Sequence, residues 1–160
     1  MGVGKTTVGE ILSERLGIPF LDADREIELA HRMPVTEIFR TMGEPAFRQM
    51  EKELIVGLCS RQDPIILSLG GGAFLQEEIR ESCLANALVF HLELSWNAWI
   101  ERMASLVGTR PVLQGKSIGE IEELFRKRLA AYALSHWTVP TDQASPQEVA
   151  DRILGILMSR

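Results

Sequence analysis

The chain opens on Gly2-Val3-Gly4-Lys5-Thr6-Thr7, six residues whose types and order suit the binding of phosphate. The hexamer matches the second half of the pattern G-x-x-x-x-G-K-[ST]. Glycines let backbone N–H groups close around phosphate oxygens. Lys5 adds a point charge for the β- and γ-phosphates, and the Thr6 hydroxyl suits a Mg²⁺ ion. Val8, Ile11, Leu12 and Leu16 follow at helical spacing, so the loop opens a helix whose positive end faces the same anion. A tight turn would account for Gly2 and Gly4, but not for Lys-Thr-Thr at the free N–H groups of the helix. The first Gly of the pattern, and the strand that feeds it, would fall before Met1.

Other residues could complete a phosphoryl-transfer site. Asp22 and Asp24 stand two apart at the end of a short apolar stretch. One carboxylate could face the metal and phosphates while the other faces an acceptor hydroxyl; the plainer alternative is a helix cap and a solvated neighbour. Glu44, Arg48 and Glu51 share a helical face in Gly43-Glu44-x-x-Phe47-Arg48-x-x-Glu51, which by itself predicts a local ion pair. Gly70-Gly71-Gly72 follows an apolar run and would let the backbone approach a ligand and donate N–H groups. Thr109-Arg110-Pro111 lies in a polar loop that suits a lid, whose Arg could neutralise charge on a transferring phosphate. Arg128, taken alone, reads as a solvated face residue of the helix that carries Tyr132.

The elements that must position these groups alternate. Helices are expected over 6–16, 24–31, 44–61, 76–85, 95–104 and 119–135, with a further one after Pro34 that Gly43 breaks and a last one from Ser145-Pro146. Ile27, Leu29 and Ala30 are expected to be partly buried, and Phe47, Met50, Leu54 and Leu58 to form one stripe. Strands are expected at 19–22, 64–69, 87–94 and near 138–139. The alternation predicts an α/β domain with a parallel sheet, whose ligands bind beyond the carboxyl ends of the strands.

Composition sets limits. With 160 residues, 46% of them apolar and 24% charged, the chain fits a single globular domain. A net charge of −5 argues against a general nucleic-acid binder, and no apolar run is long enough to span a membrane. Cys59 and Cys83 lack metal-type spacing and read as thiols of a reducing compartment, the cytoplasm.

Taken in order, G-V-G-K-T-T at 2–7, F-L-D-A-D-R-E-I-E at 20–28, I-F-R-T-M-G-E-P-A-F-R-Q-M-E at 38–51, L-G-G-G at 69–72, T-R-P-V-L at 109–113 and R-L-A-A-Y at 128–132 resemble the shikimate kinase family. The resemblance implies a three-layer α/β/α P-loop kinase with a parallel sheet in the order 2-3-1-4-5 and a mobile lid, here over 105–118. Strand 1 is missing from these residues, and the natural chain is expected to begin upstream. The implied reaction is ATP- and Mg²⁺-dependent phosphorylation of the 3-hydroxyl of shikimate, on the route to chorismate, by a cytoplasmic monomer. By the same resemblance Gly2, Val3, Gly4, Lys5, Thr6 and Thr7 hold ATP phosphates, and Thr6 and Asp22 hold Mg²⁺. Asp24 is the base. Arg48, Arg128 and Gly70, Gly71 and Gly72 surround shikimate. Arg110 reaches ATP from the lid, and Arg102 stacks on adenine. Ala130-Ala131 stand where the family usually has Pro-Leu. Two other readings compete: another small P-loop kinase, acting on gluconate or a nucleotide, and a kinase-like remnant that binds without turnover.

Overall fold

Glycines mark the ends and breaks of several helices. Gly4 precedes the first helix in a left-handed conformation (φ 82°, ψ 23°), and Gly17 ends it in another (φ 64°, ψ 28°), both open to glycine at little cost. The computed structural model describes residues 4–106 and 117–159, with residues 102–106 as backbone only. Its elements are α1 Lys5–Leu16, β1 Phe20–Asp22, α2 Ala23–His31, α3 Val35–Cys59, β2 Ile66–Ser68, a 3₁₀ turn Ala73–Leu75, α4 Glu77–Asn86, β3 Phe90–Glu93, α5 Trp96–Leu106, α6 Ile118–Tyr132, β4 Trp137–Pro140 and α7 Pro146–Met158. Gly43 breaks α3 (φ 84°, ψ 165°), so two helical stretches meet there as the sequence predicts. Ser145 and Glu148 form a reciprocal capping box at α7. Part of the segment expected as a lid is helical: residues 105 and 106 close α5, and Ser117 caps α6. Thr109 and Arg110 lie outside the described residues.

The strands are parallel. β1 pairs with β2, Phe20 opposite Ile66 and Asp22 opposite Ser68. β3 pairs with β4, Phe90 opposite Trp137 and Glu93 opposite Pro140. Among the described residues the two ladders are separate. Helices cover both faces. Val8 and Leu12 of α1 and Val149, Ala150 and Ile153 of α7 form one buried cluster with Val139, against which Ile66, Phe90 and Leu92 pack. Ala23, Ile55, Ala73, Phe74, Ile79 and Cys83 form another from α2, α3, the 3₁₀ turn and α4, packed by Leu67, Leu69 and Val89. The strands thus run between two helical layers, the α/β/α arrangement expected. Cys59 and Cys83 are free thiols, with Sγ atoms 3.7 Å apart.

Burial departs from expectation in α2 and α3. Leu29 is 64% exposed and Ala30 is also exposed, because α2 turns only the Ile27 side inward. Leu16 is exposed at the end of α1. In α3 the fully inward line is Phe47, Glu51 and Ile55, with Met50 and Leu54 only half-buried beside it. The line recurs every four residues and includes a charge, so a search for apolar spacing alone finds the neighbouring line instead.

Gly9 is a packing residue. A Cβ there would lie 2.2 Å from the Phe20 ring, so α1 can approach β1 only without a side chain at this position. Gly9→Ala should therefore destabilise the fold by roughly 1–3 kcal/mol through overpacking, against the approximately 1 kcal/mol gain that Ala offers an exposed helix. Urea denaturation checks the sign; a stabilised variant would show that Phe20 yields freely.

Candidate active site

Parallel pairing brings two strand ends together. Asp22 closes β1 opposite Ser68 of β2, so the Asp22-Ala23-Asp24 corner and the Gly70-Gly71-Gly72 turn lie side by side. α1 begins beside the same corner. Its first turn is Lys5-Thr6-Thr7-Val8, with no side-chain N-cap and no acid. Among the described residues, no side chain caps the positive end of this helix.

The Thr6 hydroxyl donates to Asp22 Oδ2 at 3.2 Å. The other Asp22 oxygen caps α2, accepting from the amides of Asp24 at 3.1 Å and Arg25 at 3.3 Å. Asp22 is thus both a helix cap and a partner of the phosphate loop. Thr6 Oγ1 and Asp22 Oδ2 are hard oxygen donors of the kind Mg²⁺ takes, with its remaining positions filled by phosphate and water. This donor set fits the implied ion.

Beside the glycine turn, charged side chains occupy the room that side chains on the glycines would need. A Cβ on Gly70 would lie 2.7 Å from Asp24 Oδ1 and 2.9 Å from Glu51 Oε1. A Cβ on Gly72 would lie 2.6–2.8 Å from three atoms of the Arg48 guanidinium. Arg48 is held by Glu51 at 2.6 Å and Glu44 at 3.1 Å, and Gln76 donates to Glu51 Oε2 at 2.9 Å. Glu51 is fully buried, and its Oε1 has no hydrogen-bond partner. Arg128 is 5% exposed on α6. Among the described residues it forms no hydrogen bond or ion pair, and its buried Nε has no partner.

These environments shift the titrating groups. Burial alone would lower Arg48, but Glu51 and then Glu44 outweigh it and hold its pKa above the ordinary value. Burial pushes the Glu51 carboxyl up; Arg48 opposes this, and the neighbouring Asp24 charge adds to it. Burial pulls the Arg128 guanidinium down, although arginine stays charged in proteins.

The structure therefore brings together Gly4, Lys5, Thr6, Thr7, Asp22, Asp24, Arg48, Gly70, Gly71, Gly72 and Arg128 around the strand ends. Gly2, Val3 and Arg110 lie outside the described residues, as does the side chain of Arg102. The solvated reading of Arg128 is corrected: its helix turns that side inward, towards His91, Trp99 and Tyr132. Sequence reasoning treated Glu51 as one end of a local ion pair and missed Gln76 altogether. The missed signal is a charge on a buried line, since Glu51 sits four residues from both Phe47 and Ile55.

The layered parallel fold, with Thr6, Asp22 and the glycine turn at its strand ends, is that of the P-loop kinases. A sequence model described as "Shikimate kinase" matches residues 1–158, and the chain belongs to that family. The shikimate kinase of Geobacillus thermodenitrificans (strain NG80-2) is 48% identical over 155 residues, covering 96% of this chain and 82% of the relative. That of Bacillus subtilis (strain 168) is 47% identical, covering 98% and 84%. The solved shikimate kinase from Acinetobacter baumannii in complex with shikimate superposes with a TM-score of 0.90 at 33% identity, covering 99% of this chain and 89% of that one.

The raised Glu51 pKa has a direction that can be checked. A carboxyl whose folded pKa exceeds its unfolded value of about 4.3 contributes stability that is complete below that value and lost as pH rises through the folded one. Glu51→Gln lacks this loss. Its stability relative to wild type should therefore improve from pH 4 to pH 7, whatever the fixed cost of weakening the Arg48 contact. Urea midpoints across that range test this, and a constant difference would contradict it.

Proposed function

We propose that this chain transfers the γ-phosphoryl group of ATP to the 3-hydroxyl of shikimate, giving shikimate 3-phosphate and ADP. The observation that carries the reading is Arg128, a guanidinium 5% exposed whose buried Nε has no hydrogen-bond partner, with Glu44 and Glu51 acting on it only through space. Leaving a charge buried and unpaired is costly, and a small carboxylate bound beside the glycine turn would satisfy it. Arg48 lies against the same turn, so two planar forks can grip one carboxylate. The family match supports the same acceptor.

In this reading the open first turn of α1, with Lys5, binds the ATP phosphates, and Thr6 and Asp22 would hold Mg²⁺. The ion, when bound, offsets charge on the phosphates. Asp24, beside Gly70 and Glu51, accepts the proton of the attacking hydroxyl. Arg110 steadies the transferred group from the lid, and Arg102 stacks on the base. No helix among the described residues is long and apolar enough to cross a membrane.

ADP release measured with ATP, Mg²⁺ and shikimate, against a blank lacking shikimate, tests the reading. Shikimate-dependent release is expected; binding of shikimate without release would instead indicate a remnant. Arg128→Ala should raise the shikimate KM about 10- to 150-fold, the equivalent of a charge-assisted contact of about 1.5–3 kcal/mol. Asp24→Asn should lower kcat about 10²- to 10⁴-fold with the ATP KM retained. Wild-type kinetics in either variant would remove that residue from its role.

A further inference from the structure

Tyr132 is the chain's single tyrosine and closes α6. Its ring packs against His91 at 4.9 Å and Phe74 at 6.5 Å between centroids. Its hydroxyl donates a short hydrogen bond, 2.5 Å, to the Gly71 carbonyl. Burial raises its pKa, which keeps the phenol in the protonated form that the bond requires. Four residues earlier, one turn along the same face, stands Arg128. Arg128 has no hydrogen bond of its own among the described residues, so its position depends on what holds α6. The helix packs against the 3₁₀ turn that follows the glycines, and the Tyr132 hydroxyl is the polar tie across that contact.

The same bond acts on the turn. A trans peptide points its C=O and N–H in opposite directions. With the Gly71 carbonyl turned to Tyr132, the Gly72 amide must point away from α6. The Arg48 guanidinium lies against Gly72, within 2.6–2.8 Å of where a Cβ would stand. One hydroxyl therefore connects the backbone next to Arg48 with the helix of Arg128.

We propose that Tyr132 is a positioning residue for the acceptor: by holding the Gly71 carbonyl it sets the spacing between Arg128 and the Gly70-Gly71-Gly72 turn and fixes the direction of the Gly72 amide. The proposal rests on the acceptor reading given above. It assigns the Tyr132 hydroxyl no contact with reacting atoms, so its removal acts on carboxylate binding and leaves the phosphate side alone.

Tyr132→Phe removes the hydroxyl and keeps the ring packing. Steady-state kinetics should show the shikimate KM raised about 5- to 20-fold, with kcat and the ATP KM within about twofold of wild type. In parallel, the Arg128 Nε–H resonance, followed by NMR without any ligand, should shift and exchange faster with water in the variant. An unchanged shikimate KM, an equal rise in the ATP KM, or an unmoved Arg128 Nε–H resonance would each overturn the proposal. If wild type releases no ADP in response to shikimate, the functional reading fails. The ligand-free resonance then decides the role of Tyr132 by itself.

Discussion

The structure depends on a close approach between a side-chain-free turn and a set of charges. Asp24, Glu51 and Arg48 fill the positions that Cβ atoms on Gly70 and Gly72 would need. The glycines are required because these charges lie beneath them. The charges can be buried there because they pair: Arg48 sits between Glu44 and Glu51, and Gln76 completes one oxygen of Glu51. A buried ion pair of this kind is weak evidence of stability, since desolvation offsets much of its attraction. Its effect here is to fix where Arg48 can be.

The rest of the fold delivers partners to that point. Parallel pairing of β1 with β2 sets Asp22 level with Ser68, so one acid reaches the phosphate side through Thr6 while Asp24 is held beside the glycines. α3 supplies Arg48 and Glu51 from a helix anchored by fully buried Ile38 and Ile55. α6 brings in Arg128, buried on its inward side. Among the described residues the first turn of α1 carries no acid and no side-chain cap, whereas Glu44, Arg48 and Glu51 form an ionic cluster beside the glycine turn. This asymmetry suits a polyanion on one side and a small monoanion on the other.

Much of this was legible in the sequence, and the reasons differ by residue. Lys5-Thr6-Thr7 and the glycines were readable because a phosphate loop is local: its chemistry and its backbone lie in consecutive residues. The alternation of helix and strand was readable from period and punctuation, and the boundaries agree to within a few residues. Arg128 was undervalued when read by itself, since a helical Arg is usually solvated. The corrective signal was present: Ile121, Phe125, Arg128 and Tyr132 fall at spacings of four, three and four on one side of α6, so the charge sits on the buried line. Glu51 follows the same rule between Phe47 and Ile55. The contacts of Gln76 with Glu51 and of Tyr132 with Gly71 join residues 25 and 61 positions apart, and no local pattern encodes them.

In the proposed reading, buried Glu51 holds Arg48 in place for the acceptor. The most direct test is the shikimate dependence of ADP release in Glu51→Gln, with the ATP dependence measured alongside. The shikimate KM should rise at least about tenfold, on the scale of one lost charge-assisted contact, with the ATP KM unchanged. A folded Glu51→Gln enzyme with the wild-type shikimate KM would show that Arg48 finds its position without Glu51, and would contradict the account.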